Sequence, residues 1–481
     1  MDSARDTNAE DGTVPLVVDV DGTLTKTDLL HEKILEFIAR HPLQAWRLPV
    51  WLAGGRARLK CELAERVSLE LATLPLRDEI VARVRKAQDE GRPVYLASAS
   101  EEKLVQALAD EIGGIAGVFG TDATANAAGR VKAEKLNAAF GSGGYDYIGD
   151  RPVDFAVWPS ARKVLAVSHS AAFSRRLHRQ FPDAEILVQP RLRAAAYVKA
   201  LRPYQWAKNI LVFMSPAAGH HFDLPTLLAT LLAFVCFCLA ASGAYVINDL
   251  LDIPGDRAHP RKRSRPFASG AIPVAHGPLM AFLLLGGAIG GALLLPVWFL
   301  AMLILYVVAT LAYSLVLKRK ILIDVIMLGS LYTMRVLGGG AVVGAEQSPW
   351  LLMFSLFLFL GLAIVKRCSE LVARRAEGKL AMAGRGYHVE DLNIMLALGA
   401  AAGYGAVLVV ALYIGSPQVQ ELYRHPERLW LVCPLLLYWT SRILILSNRN
   451  QLHDDPVIFA LTDRVSWAVG AISAAVIFAA I

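Results

Sequence analysis

A chain of 481 residues is too long for one ordinary core, and 55% hydrophobic residues with a mean hydropathy of +0.43 exceed what a soluble enzyme carries. The net charge of +7 is largely placed in short loops between apolar blocks, which argues for membrane topology signals and against nucleic acid as a partner. The five cysteines, Cys61, Cys236, Cys238, Cys368 and Cys433, lack zinc-type spacing and read as small core residues, with no disulfide framework.

In chain order, residues 1–13 form a polar, acidic tail without an apolar stretch that could act as a signal sequence, so the domain behind it is expected to stay in the cytosol. Residues 14–188 mix charged and apolar residues as a soluble domain does. Pro15-Leu-Val-Val-Asp19-Val-Asp21-Gly22-Thr23 reads as a buried strand running into a loop with two carboxylates two residues apart. The C-terminal edge of a strand is where an open α/β sheet places its chemistry. One aspartate there can attack phosphorus while the other protonates the leaving oxygen. Residues 28–80 read as helices rich in Leu, Ala and Arg, a small helical cap. A second buried strand, Val94-Tyr-Leu-Ala, ends in Ser98-Ala-Ser100, whose hydroxyls suit a phosphate. Lys132 opens a helix, with Lys135 one turn away as its competitor. A third strand leads to Gly149-Asp150-Arg-Pro-Val-Asp154.

These four elements, in this order, resemble the haloacid dehalogenase-like (HAD) phosphatases. The resemblance implies a Rossmann-like α/β domain in which Asp19 is the nucleophile and Asp21 the general acid and base. It also implies phosphate binding by Thr23, Ser98 and Lys132, with Ser100 the alternative to Ser98. Asp19, Asp150 and Asp154 would hold Mg²⁺.

Residues 189–200 read as a linker, and from Leu201 onward the chain is apolar blocks separated by short polar loops. About nine blocks of roughly 17 to 25 residues are long enough to span a bilayer, predicting an all-α polytopic bundle. Lys and Arg gather after the second, fourth and sixth blocks, which puts those loops and the front domain on the cytoplasmic side. At the inner end of the second block stands Asn248-Asp249-Leu-Leu-Asp252-Ile-Pro-Gly-Asp256. Spacings of three and four place the carboxylates on one helical face, where a divalent cation is the natural neutraliser. Pro254 and Gly255 should end or kink the helix before Asp256. Arg257, Arg261, Lys262 and Arg265 follow as a cationic run suited to the same anion. Asp324, just inside the fifth block, is a carboxylate that needs a partner. After the sixth block comes Lys366-Arg367-Cys-Ser-Glu370.

The acidic segment resembles the first Asp-rich motif of the UbiA superfamily of intramembrane prenyltransferases, over residues 201–481. A plain prenyltransferase of that superfamily carries paired aspartates where this chain has Lys366-Arg367. One metal-binding face and one cationic face fit two anionic substrates better than a single diphosphate. With Arg202-Pro203-Tyr-Gln205-Trp206-Ala-Lys208-Asn209 and Tyr313-Ser-Leu-Val-Leu317-Lys318, the pattern looks like the polyprenyl-phosphate phosphoribosyltransferase branch, the decaprenyl-phosphate enzymes among them. The resemblance implies that Asn248, Asp249, Asp252 and Asp256 hold Mg²⁺ and the diphosphate of phosphoribosyl diphosphate. Lys208, Lys318, Lys366 and Arg367 are candidates for donor or polyprenyl phosphates, with Asn209, Tyr313, Asp324 and Glu370 around them. The whole then reads as a bifunctional enzyme of the bacterial cytoplasmic membrane, its front domain dephosphorylating the lipid product towards lipid-linked ribose or arabinose for envelope glycans. Assembly as a homo-oligomer stays open. The competing readings are a prenyltransferase acting on an aromatic acceptor with an unrelated phosphatase domain, and a membrane transporter or scaffold without catalysis.

Overall fold

A computed structural model describes residues 14–121, 129–168, 170–188, 194–344, 348–380, 382, 385–452 and 455–481. The expected polar tail, 1–13, and the first part of the expected linker, 189–193, lie outside the described residues. The remainder of that linker is helical. The chain divides into two compact units: residues 1–201 with 249–279, and residues 202–248 with 280–481.

The first unit is built on β1 (Leu16–Asp19), β2 (Val94–Glu101), β3 (Gly117–Thr121), β4 (Asp146–Gly149), β5 (Lys163–Val167) and β6 (Glu185–Val188). They form one sheet of order β3-β2-β1-β4-β5-β6, every pairing parallel. Its central strand is apolar on both faces because both faces are covered: Leu16 and Val18 enter one core, Val17 the other. The order reverses at β1, whose neighbours β2 and β4 lie on opposite sides, the switch point at which such sheets bind ligands. Helices α1 (Leu29–Arg40), α2 (Arg47–Ala53) and α3 (Arg56–Ala64) form the expected cap, with a small core of Phe37, Trp51, Leu59, Leu63 and Val67. Helices α4 (Asp78–Asp89), α5 (Glu102–Ile112), α6 (Arg130–Phe140), α7 (Ala171–Gln180) and α8 (Ala194–Leu201) complete the front domain.

The apolar helices are α9 (Leu224–Leu251), α11 (His276–Ala292), α12 (Val297–Leu315), α13 (Ile323–Val343), α14 (Pro349–Ala376), α15 (Leu392–Ile414), α16 (Val432–Asn448), α17 (Pro456–Thr462) and α18 (Arg464–Ala480). The short α10 (Ile253–Ala258) follows α9. Among the described residues six helical segments are long and apolar enough to span, or seven if α17 and α18, bent by 79°, count as one. The chain is therefore an integral membrane protein. Two of the nine expected blocks are not among these segments. The first is a 3-10 stretch, Pro203–Phe213, that runs into a five-residue helix, Met214–Ala218, instead of one long α-helix. The third, α11, has 17 residues, about 25 Å at the α-helical rise. Four cysteines are buried as expected, but Cys61 on α3 is exposed.

Candidate functional site

In the front domain the C-terminal ends of three adjacent strands deliver the chemistry. Asp19 ends β1, and Gly22 turns the chain behind it at φ +87°. A Cβ at Gly22 would lie 2.3 Å from the Asp150 carboxylate, so the loop can approach β4 only with glycine there. The Thr23 hydroxyl reaches the Asp19 carboxylate at 3.3 Å and that of Asp150 at 3.2 Å. Lys132, at the start of α6, donates to Asp19 at 2.5 Å and to the Tyr147 hydroxyl at 3.0 Å, while Lys135 turns away to the Gly120 carbonyl. Asp154 accepts from Tyr147 and from the backbone N–H groups of Asp150 and Arg151. Carboxylate oxygens of Asp19, Asp150 and Asp154 lie within 4.8 Å of one another, all three residues buried. Oxygen donors at that spacing suit a hard divalent cation.

Asp21 bonds a different set of groups. It accepts from the Leu29 N–H at 2.8 Å, from the Ser98 hydroxyl at 2.6 Å and from that of Ser100 at 3.2 Å. Both serines weighed as phosphate clamps thus meet on Asp21. Burial pushes the Asp19 carboxyl up to about 8, opposed by the Lys132 ammonium, and raises that of Asp21, with Asp28 adding to the shift. Burial works to lower Lys132, yet Asp19 and Asp154 carry it above its ordinary value. A cavity of about 320 Å³ opens here, lined by Asp19, Asp21, Lys60, Ser100, Lys132 and Arg151.

Sequence reasoning missed three of these groups. Tyr147 ties Lys132 to Asp154, and a buried tyrosine hydroxyl needing a partner was the available signal. Arg151 holds the Asp21 carbonyl at 2.9 Å and Asp28 at 3.1 Å, and Lys60 from the cap donates to the Ala99 carbonyl at 2.5 Å.

The acidic segment of the membrane half does not run as one helix. α9 ends at Leu251, Asp252 sits at the joint with φ −95° and ψ 6°, and α10 begins at Ile253 with Pro254 in its first turn. The break therefore falls before Pro254, at Asp252, and the carboxylates do not share one uninterrupted face. Proline is favoured at a helix start, so Pro254 opens a new helix. Arg265 nevertheless draws two of them to one cationic atom, its Nη1 lying 3.3 Å from Asp249 and 2.6 Å from Asp256. That guanidinium nitrogen marks a point where a cation meets both carboxylates. Burial raises the Asp256 carboxyl, with Arg265 opposing. Asp252 and Asn248 are half-buried, and Arg261 and Lys262 exposed. Arg257 is turned away from the aspartates: it forks onto Glu32 at 2.8 and 3.2 Å and donates to the Ala268 carbonyl.

In the second unit the cationic candidates separate into two clusters. Lys208 and Lys366 both donate to Asp455, at 2.6 and 2.9 Å, and the Tyr332 hydroxyl donates to the same carboxylate at 3.2 Å. Beside them Asn209 accepts from Arg335, which also bonds the Tyr306 hydroxyl. Arg367 belongs to the other cluster. Its side chain has no exposure and is spent on Asp324 at 2.5 Å and Glu370 at 2.6 Å, with Tyr313 and Arg385 closing around Asp324. Arg367, expected among the phosphate binders, is thus enclosed by its own carboxylates. Lys318 is half-buried in the turn Leu317–Arg319. Asp455 and Arg335 escaped the sequence reading. Asp455 before Pro456 signals only a helix cap, a role it also fills by accepting from the Val457 N–H.

Residues 209–451 match the UbiA prenyltransferase family, and residues 16–157 match the haloacid dehalogenase-like hydrolases. "Uncharacterized protein y4nM" of Sinorhizobium fredii is 36% identical over 98% of this chain and 91% of its own length. "Nodulation protein NoeC" of Azorhizobium caulinodans is 34% identical over 56% of this chain and 88% of its own. "Decaprenyl-phosphate phosphoribosyltransferase" of Mycolicibacterium smegmatis is 35% identical over 44% of this chain and 69% of its own.

Proposed function

Because the chain belongs to the UbiA prenyltransferase family and carries a haloacid dehalogenase-like domain in front, we propose that its membrane half transfers phosphoribosyl from phosphoribosyl diphosphate to a polyprenyl phosphate, and that its front domain then removes the phosphate of the lipid product. The observation that carries the first step is the basic pair Lys208 and Lys366, gathered on Asp455, with Lys366 in the sequence segment where a plain prenyltransferase would carry paired aspartates. The similarity to decaprenyl-phosphate phosphoribosyltransferase supports the same choice of substrates.

A divalent cation, Mg²⁺ in this reading, held by Asp19, Asp150 and Asp154 in one half and by Asp249, Asp252 and Asp256 in the other, supplies charge neutralisation of phosphate oxygens when bound. In the membrane half no side chain acts as nucleophile. A phosphate oxygen of the lipid attacks the anomeric carbon of ribose, and the bond to diphosphate breaks with its electron pair leaving on the diphosphate. Lys208 and Lys366 hold the acceptor phosphate, exchanging Asp455 for it. Asn248 and Arg265 assist the donor diphosphate, and Arg367 positions the surrounding helices.

In the front domain Asp19 attacks the phosphorus of the monoester, and the ribose oxygen leaves with a proton from Asp21. Water then attacks the aspartyl phosphate, giving its proton to Asp21 and releasing inorganic phosphate. Thr23 and Lys132 hold phosphate oxygens. Both activities on one chain at one membrane face raise the effective concentration of the second substrate. With labelled donor, an Asp19→Asn chain should accumulate the phosphorylated lipid; dephosphorylation equal to wild type would refute the second step. This reading places the protein in the bacterial cytoplasmic membrane with both sites on the cytoplasmic side, serving envelope glycan synthesis.

A further inference from the structure

Glu32 stands in the first turn of α1, the first cap helix of the front domain, and Arg257 in α10, directly after Asp256. Both belong to the first compact unit, which takes in residues 249–279 together with the front domain. The side chains of Glu32 and Arg257 are only 4% and 6% exposed, and the guanidinium meets the carboxylate with both terminal nitrogens. The Thr27 hydroxyl donates to the same carboxylate at 2.6 Å, and the remaining Arg257 nitrogen, Nε, donates to the Ala268 carbonyl at 3.0 Å. One side chain therefore ties the cap to both ends of the basic segment 257–268. A buried, forked pair of this kind fixes geometry strongly, because removal of either partner leaves a charge uncompensated.

Three other contacts moor this segment and the residues that follow it, up to His276, to the front domain. Lys199 donates to the Ser264 carbonyl at 3.1 Å, and Tyr197 bonds His276 at 2.8 Å. Gly270, at φ +70°, leaves no room for a Cβ, which would lie 2.6 Å from the Cβ of Lys26. Asp256 in turn shares Arg265 with Asp249. A continuous set of contacts thus runs from Glu32 through Arg257 and the α10 backbone to the two carboxylates of the Asp-rich segment.

We infer that Glu32, a residue of the phosphatase cap, is a positioning residue for the transferase: through Arg257 it sets the geometry of the Asp-rich segment that receives the donor diphosphate. The inference rests on the donor assignment made above. Its consequence is that a substitution in the phosphatase half impairs the first reaction and spares the second. Loss of a group that orients carboxylate ligands from outside costs about 10- to 100-fold in affinity.

The test uses the full chain, purified in detergent, as wild type, Glu32→Ala, the near-isosteric Glu32→Gln, and the exchange Glu32→Arg with Arg257→Glu. Four quantities are read: KM for phosphoribosyl diphosphate, KM for polyprenyl phosphate, turnover of p-nitrophenyl phosphate, and the rate of tryptic cleavage between residues 257 and 265. Glu32→Gln should raise KM for phosphoribosyl diphosphate about tenfold and speed tryptic cleavage. The other two constants should stay within about twofold, and the exchange should recover part of the loss. Unchanged donor KM and unchanged cleavage overturn the inference, and so does an equal loss in all activities. If the wild type transfers nothing from phosphoribosyl diphosphate, the functional reading fails, and the tryptic rates still decide whether Glu32 holds the segment.

Discussion

Asp19 and Gly22 show how narrowly the proposed phosphatase site is drawn. Asp19 is held between Lys132 and Thr23 at the end of a strand with no solvent on either face. Replacing it with Asn removes the oxygen proposed to attack phosphorus without changing shape, so p-nitrophenyl phosphate turnover should fall at least about a thousandfold while the apparent Tm stays near wild type. Gly22→Ala is a different kind of change. It adds a methyl against the Asp150 carboxylate at a positive φ, and the backbone strain alone is about 1–2 kcal/mol. A lowered Tm together with lost phosphatase turnover is expected, and a variant with wild-type turnover would show that the loop has room.

Among the elements, the joint between α9 and α10 and the Arg367 cluster behave differently under substitution. Asp249→Ala should abolish lipid labelling from phosphoribosyl diphosphate and leave p-nitrophenyl phosphate turnover intact, since Asp249 lies apart in the chain from every phosphatase motif. Equal loss of both activities would point to misfolding instead. Arg367 is fully buried between Asp324 and Glu370, so Arg367→Ala leaves two carboxylates with only the more exposed Arg385 as counter-charge. Breaking a buried pair from one side costs about 3–5 kcal/mol, which a thermal scan in detergent should register as a clear drop in Tm. A merely phosphate-binding arginine would lower transfer and leave Tm unchanged.

At the scale of the whole molecule, much of the α/β half was legible because its signals are local. A buried strand ending in two aspartates, a strand ending in serines, a lysine opening a helix and a strand followed by Asp150 each announce themselves within ten residues. The membrane half is apolar enough to declare its spans, though Pro203–Phe213 shows that apolar composition does not choose between a 3-10 stretch and an α-helix. What stayed hidden is long-range. Asp455 lies 247 positions from Lys208, and Glu32 lies 225 from Arg257, so no spacing rule connects them. The acidic segment sits between these cases: its residue types were readable, while the position of its break depended on Pro254 starting a helix instead of ending one.

In the proposed transfer the donor carries ribose and the lipid is the acceptor. Membranes containing the full chain should be given labelled phosphoribosyl diphosphate with polyprenyl phosphate and, in parallel, a prenyl diphosphate with an aromatic acid. Label should enter the lipid fraction from the first mixture alone, dependent on polyprenyl phosphate and lost in Asp249→Ala. A prenylated aromatic product from the second mixture, with no labelled lipid from the first, would contradict it.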